Sequence, residues 1–151
     1  MATFVTHIFI DQLMSKNFSW LTADLRVLLF GPTNNTAYTN TYITDTTILA
    51  ELSTSGTGYS RKTLTGLTYT YDSTKNVIYG KADNLTWTAM SGGSVGGWGL
   101  FVNVTGDTSS WWVMKSTDGS GFPANAIGGD FNLNWDSLGI VKLAGLTVAA
   151  S

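Results

Sequence analysis

Leu67-Thr68-Tyr69-Thr70-Tyr71-Asp72-Ser73-Thr74-Lys75-Asn76-Val77-Ile78-Tyr79 is the stretch whose reading decides the fold class. Leu67, Tyr69 and Tyr71 alternate with Thr68 and Thr70, Asp72 to Lys75 supply turn formers, and Asn76 to Tyr79 resume an extended pattern. Side chains at period two on both sides of a short polar turn predict a β-hairpin.

The same period continues toward the carboxyl end. Leu85, Trp87 and Ala89 alternate, Trp98, Leu100, Val102 and Val104 share one face of a longer strand, and Trp111-Trp112-Val113-Met114 opens another. Phe131, Leu133 and Trp135 alternate with Asn132 and Asn134, and a turn over Asp136 to Gly139 leads into Ile140-Val141-Lys142-Leu143. The glycines between Gly92 and Gly97 read as a flexible or tightly turned loop.

Toward the amino end, Leu25-Arg26-Val27-Leu28-Leu29-Phe30 is a short apolar run stopped by Gly31-Pro32, as expected of a strand buried on both faces. Asp45 is placed to cap a short helix through Ile48, Leu49 and Leu52. Phe4, Val5, Ile8, Phe9, Leu13 and Met14 fall at helical spacing, with Lys16 near the carboxyl end, so an amphipathic helix or arm is expected within residues 1–16. The competing strand reading sets Phe4, Thr6, Ile8 and Ile10 on one face but leaves Val5 and Phe9 on the other.

The expected fold is therefore mainly β: a β-sandwich or partly closed barrel of antiparallel strands, with a short N-terminal helix and one further short helix. A length of 151 residues suits a single domain, 1–151, which buries about two thirds of its extended surface. No internal repeat, heptad or linker divides it.

The inventory of reactive side chains is short. There is no cysteine, one histidine and one glutamate. This excludes disulfides, thiolate metal sites and cysteine nucleophiles, and leaves His7 as the only candidate for a Ser-His-Asp relay. His7 stands four residues before Asp11, but no Gly-x-Ser-x-Gly elbow follows. Asp72, Asp107, Asp118 and Asp136 sit at turn-like positions. Gly92-Gly93-Ser94-Val95-Gly96-Gly97 lacks the Gly-Lys-Ser/Thr of a phosphate loop, and no calcium ladder is present. No catalytic, cofactor-binding or metal-binding residue is expected.

Charged residues make up 12% of the chain and the formal charge is −2, with no basic cluster larger than Arg61-Lys62. That surface does not suit nucleic acid, and nowhere do eighteen apolar residues run together, so neither a nucleic-acid nor a membrane partner is expected. The amino terminus has no basic start or long apolar run of a secretory signal, so synthesis in the cytoplasm is expected. Six tryptophans are more informative. Adjacent Trp111 and Trp112 point to opposite faces of one strand, so one of them is expected outward, as a protein contact or a sugar-stacking platform. Together with Phe4 and Ile8 of the amphipathic segment, they are the candidate protein-contact residues.

Four quoted elements, in order, resemble a family. They are Ser55-Gly56-Thr57-Gly58-Tyr59, Ala82-Asp83-Asn84-Leu85-Thr86-Trp87, Gly128-Gly129-Asp130-Phe131-Asn132-Leu133-Asn134-Trp135, and Leu138-Gly139-Ile140-Val141 with Leu143, around a central Trp98-Gly99-Leu100-Phe101-Val102. Their order and spacing resemble the small structural proteins of tailed bacteriophages taken to be capsid decoration or cement proteins. The resemblance runs from Leu25 onward. The chain departs from the family pattern at Phe18-Ser19-Trp20-Leu21-Thr22, where the family is more acidic, and at Ser60-Arg61-Lys62, where it carries a glycine pair. The resemblance implies a non-enzymatic virion protein on the capsid exterior, with the major capsid protein and further copies of itself as partners. A tail or head–tail joining component and a carbohydrate-binding module are the alternatives.

Overall fold

The structure is a computed structural model, and it describes residues 4–5, 7–32, 42–43, 51–91, 93–116 and 122–144. It is mainly β, with antiparallel sheets that do not close into a barrel and a sandwich-like arrangement. The strands are β1 (Phe4–Val5), β2 (Leu25–Phe30), β3 (Lys62–Thr63), β4 (Thr68–Asp72), β5 (Val77–Lys81), β6 (Leu85–Met90), β7 (Gly93–Val95), β8 (Gly97–Val102), β9 (Trp111–Ser116), β10 (Ala124–Ala126), β11 (Gly129–Leu133) and β12 (Val141–Ala144). One helix, α1 (His7–Met14), is present among the described residues.

A five-stranded sheet in the order β1-β9-β8-β2-β3 forms the centre. Leu25, Val27 and Leu29 of β2, Leu100 and Val102 of β8, and Trp111 and Met114 of β9 share its main face. Packed on that face are Phe9 of α1 and residues of the smaller sheets β11-β6, β10-β7 and β12-β5-β4, including Trp87, Val95, Leu133 and Val141. The opposite face holds a second, smaller core of Leu28, Phe30, Ile43, Phe101 and Trp112. β2 feeds both cores, which is why its sequence reads as a continuous apolar run.

β9 reaches both cores through a bulge. Leu100 pairs with Met114 and Phe101 with Trp112, so the register shifts by one residue at Val113. The extra residue turns Val113 and Met114 both into the main core and leaves Trp112 and Lys115 on the opposite side. There the Lys115 ammonium lies 4.5 Å from the centre of the Trp112 ring. Gly99 makes room for that ring, since a Cβ at this position would collide with it.

The hairpin of the opening stretch is β4–β5, in unbroken register from Thr68↔Lys81 to Asp72↔Val77. Asp72 Oδ1 accepts the amides of Thr74 and Lys75, and Asn76 takes φ 53°, which completes the turn. Trp98, Leu100 and Val102 do share the main-core face, whereas Val104 lies past the end of β8 and is exposed.

Two further expectations change. Phe4 and Val5 belong to no helix: they pair with Lys115 and Met114 of β9, and α1 starts at His7. Just past the end of α1, Lys16 takes φ 60° and the Asn17 amide donates to the Gln12 carbonyl, a left-handed cap usually made by glycine. The glycine-rich stretch is a strand rather than a loop, because β7 pairs with β10 and Gly96 fits against the Gly31-Pro32 backbone. Of the further helix expected from Asp45, residues 44–50 lie outside the described residues; Glu51 bridges Phe30, and the Leu52 amide donates to the Leu29 carbonyl.

Candidate functional site

Among the described residues, a cluster of one arginine and two carboxylates is built beside the edge of β2. Gly56 and Gly58 take φ of 70° and 68°, and a Cβ on Gly58 would lie 2.8 Å from the Ala89 carbonyl, so the Ser55–Tyr59 element needs glycine to approach β6. That approach delivers Tyr59 to the interior. Its hydroxyl accepts the Leu29 amide at 3.1 Å and donates to Glu51 Oε1 at 2.8 Å. Burial, reinforced by the Glu51 carboxylate, raises the Tyr59 phenol above its ordinary value.

Arg61 completes the cluster. Its Nε and Nη2 donate to Glu51 at 2.8 and 2.7 Å, and its Nη1 and Nη2 donate to Asp107 at 2.6 and 2.9 Å. The guanidinium also lies 5.5 Å from the centre of the Phe101 ring. Hydrogen bonds to the two carboxylates raise its pKa further. These groups border an open cleft of about 680 Å³ together with Ser53 and Ser60. Four of the guanidinium's five N–H donors are committed to these carboxylates, so the cluster is arranged to tie three chain segments together. Sequence reading met Glu51 as the lone glutamate and Asp107 as a turn residue; their shared partner is separated from Asp107 by 46 positions.

The other quoted elements also interlock. The Trp87 indole donates to the Ser60 carbonyl at 2.6 Å, the Trp135 indole donates to the Asp83 carbonyl at 2.8 Å, and the Trp135 amide donates to Asn84 Oδ1 at 2.9 Å. Trp135 then meets Trp98 edge to face, with centroids 5.0 Å apart. The elements that carry the resemblance are thus the joints of the fold.

The candidate contact residues fare differently. Trp111 and Trp112 do point to opposite faces, but both are buried, one in each core, so neither offers an outward ring. The expectation assumed that one face of β9 meets solvent, whereas this sheet is covered on both sides. Ile8 is partly buried against the main core. Phe4 lies in β1, beside Lys115 in register.

A different apolar surface is exposed. Ile10 (53%) and Met14 (75%) of α1 stand beside Tyr69 (55%), Tyr71 (54%) and Ile78 (41%) of the β4–β5 hairpin. Tyr69 pairs with Gly80, Tyr71 with Ile78, and Ile78 with Leu143, so these residues share the sheet face that meets α1. Trp20 seats that face: its ring lies where a Gly80 Cβ would be, 2.8 Å away, and its indole donates to the Lys81 carbonyl. Between helix and sheet run two adjoining grooves of about 220 and 420 Å³, with no charged residue in either lining. In the sequence, Tyr69 and Tyr71 had the alternation of a core strand, which carries no sign of which face is left uncovered.

Among the described residues no group of three or more histidine and acidic side chains is placed to hold a metal ion, and no helix is long and apolar enough to cross a membrane. Comparison of the chain with protein-family models, curated proteins and solved structures gave no match.

Proposed function

We propose that this chain is a non-enzymatic virion structural protein that decorates and cements the capsid lattice of a tailed phage, docking on the major capsid protein through the uncharged apolar face between α1 and the β4–β5 hairpin. The observation that supports this reading is the exposed set Ile10, Met14, Tyr69, Tyr71 and Ile78. Five large side chains about half exposed offer on the order of 500 Å² of apolar surface, the size at which a patch on a monomer is often functional. Removing it from water supplies on the order of 10 kcal/mol before the costs of association, and shell symmetry repeats the contact at every site. No bond is made or broken. The order of the glycine, aspartate and tryptophan elements supports the same reading.

Particle reconstruction tests it. Density for this chain over the capsid joints, and particles that assemble without it but burst at lower temperature or internal pressure, are the expected results. Equally robust particles without it remove the cementing role. A copy number of about six or twelve per particle moves the chain to the tail axis.

A further inference from the structure

We infer that β4 is a pairing edge for a second copy of this chain. Among the described residues β4 hydrogen-bonds only to β5 and is the last strand of its sheet. Thr68, Tyr69, Thr70 and Tyr71 are all exposed. A strand that must stay unpaired usually carries a lysine, a proline or a bulge. Other edges are short or protected: β1, β7 and β10 are two or three residues long, β3 carries Lys62, β12 carries Lys142, the β6–β11 pair has a register shift, and β2, where short β3 ends, is closed by the Tyr59 hydroxyl. β4 carries none of these devices, and its register with β5 has no shift.

Its sequence is also complementary to itself. In an antiparallel pair centred on Thr70, that residue faces its own copy, Tyr69 faces Tyr71 of the second copy, and Thr68 faces Asp72. Two aromatic cross-strand pairs form and no like charges meet. The operation is a twofold axis, so the contact closes at two copies and leaves no free β4 edge. Tyr69 and Tyr71 lie on the face that holds Ile78 and Leu143, so the apolar surface continues from one copy to the next across a six-stranded sheet. One five-residue edge buries well under the ~800 Å² per partner of a standard interface, so the dimer is weak and concentration-dependent. This inference stands on the edge strand alone and does not depend on the capsid reading.

Sedimentation of the full chain over a concentration series is the test. The wild type is expected to pass from monomer to dimer. Y69K/Y71K sets like charges opposite one another in this register and raises the midpoint about tenfold, whereas Y69K/Y71E sets opposite charges face to face and keeps it near wild type. A wild type that stays monomeric throughout, a Y69K/Y71K chain that associates like wild type, or equal weakening by both variants overturns the pairing. Hydrogen exchange on the wild type gives a reading that needs no variant: β4 amides become protected as concentration rises, and protection independent of concentration overturns the inference.

Discussion

The Tyr59 hydroxyl stands 3.1 Å from the Leu29 amide and closes the edge of β2 where β3 has run out. A side chain here does the work of a strand. β3 covers only Arg26 and Val27; beyond it the Leu29 amide is capped by Tyr59 and the Leu29 carbonyl by the Leu52 amide.

Tyr59→Phe keeps the ring and removes the cap. The buried Leu29 amide and Glu51 Oε1 each lose a partner, at an expected cost of about 1–3 kcal/mol in urea unfolding. Tyr69→Phe, on the exposed hairpin, is the control and should stay within about 0.5 kcal/mol of wild type. Equal losses at the two sites would show that the cap is dispensable.

The same phenol sets an alkaline limit. Its folded pKa lies above the ordinary 10.0, mainly through burial, so the folded state holds the proton that the unfolded state releases. This contribution is complete below about pH 10 and declines as pH rises beyond it. The wild type should therefore lose stability more steeply than Tyr59→Phe in unfolding titrations above about pH 10, and parallel curves would refute the assignment.

At the acid end one such group is Asp24. Arg26 donates to both its oxygens at 3.0 and 2.8 Å and Asn103 adds a third bond, so its pKa is lowered below 3.8, chiefly by the Arg26 hydrogen bonds. A depressed carboxylate stabilises the fold above its unfolded value, and the benefit disappears as pH falls through the folded one. Both partners are 38% exposed, so solvent screening keeps the effect below about 1 kcal/mol. Asp24→Asn should flatten the acid side of the stability curve below about pH 4, measured by denaturant midpoints.

Gly99→Ala tests the packing around Trp112. The new methyl would collide with a ring that is buried in the smaller core and flanked by Lys115, so repacking should cost about 1–3 kcal/mol. A calorimetric melt unchanged from wild type would mean that the bulged strand shifts without resistance.

Met14→Glu places a charge on the proposed docking face. Met14 is 75% exposed, so stability should remain within about 0.5 kcal/mol while occupancy on particles falls. Full occupancy with this variant would take the helix side of that face out of the contact.

Local pattern was enough for β2, β8 and the β4–β5 hairpin, whose partners are near in sequence or whose apolar runs admit one reading. It was not enough where the deciding partner is distant. β7 becomes a strand because β10 lies beside it, and Phe4–Val5 leave the helix because β9 offers an edge. The Arg61 cluster gathers carboxylates from positions 51 and 107, which no spacing rule connects. The exposed face was hidden for another reason: alternation gives Tyr69 and Tyr71 a common side but does not say whether α1 covers it.

Val113 makes β9 a strand in which parity matters. Upstream of it odd-numbered Trp111 lies in the main core; downstream even-numbered Met114 does, and Lys115 stays on Trp112's side. Removing this one residue would set Trp112 directly before Met114, restore strict alternation opposite Phe101 and Leu100, and leave Met114 in the main core and Lys115 on Trp112's side. β9 therefore uses its extra residue to carry a third side chain into the main core without reversing the faces of the side chains that follow.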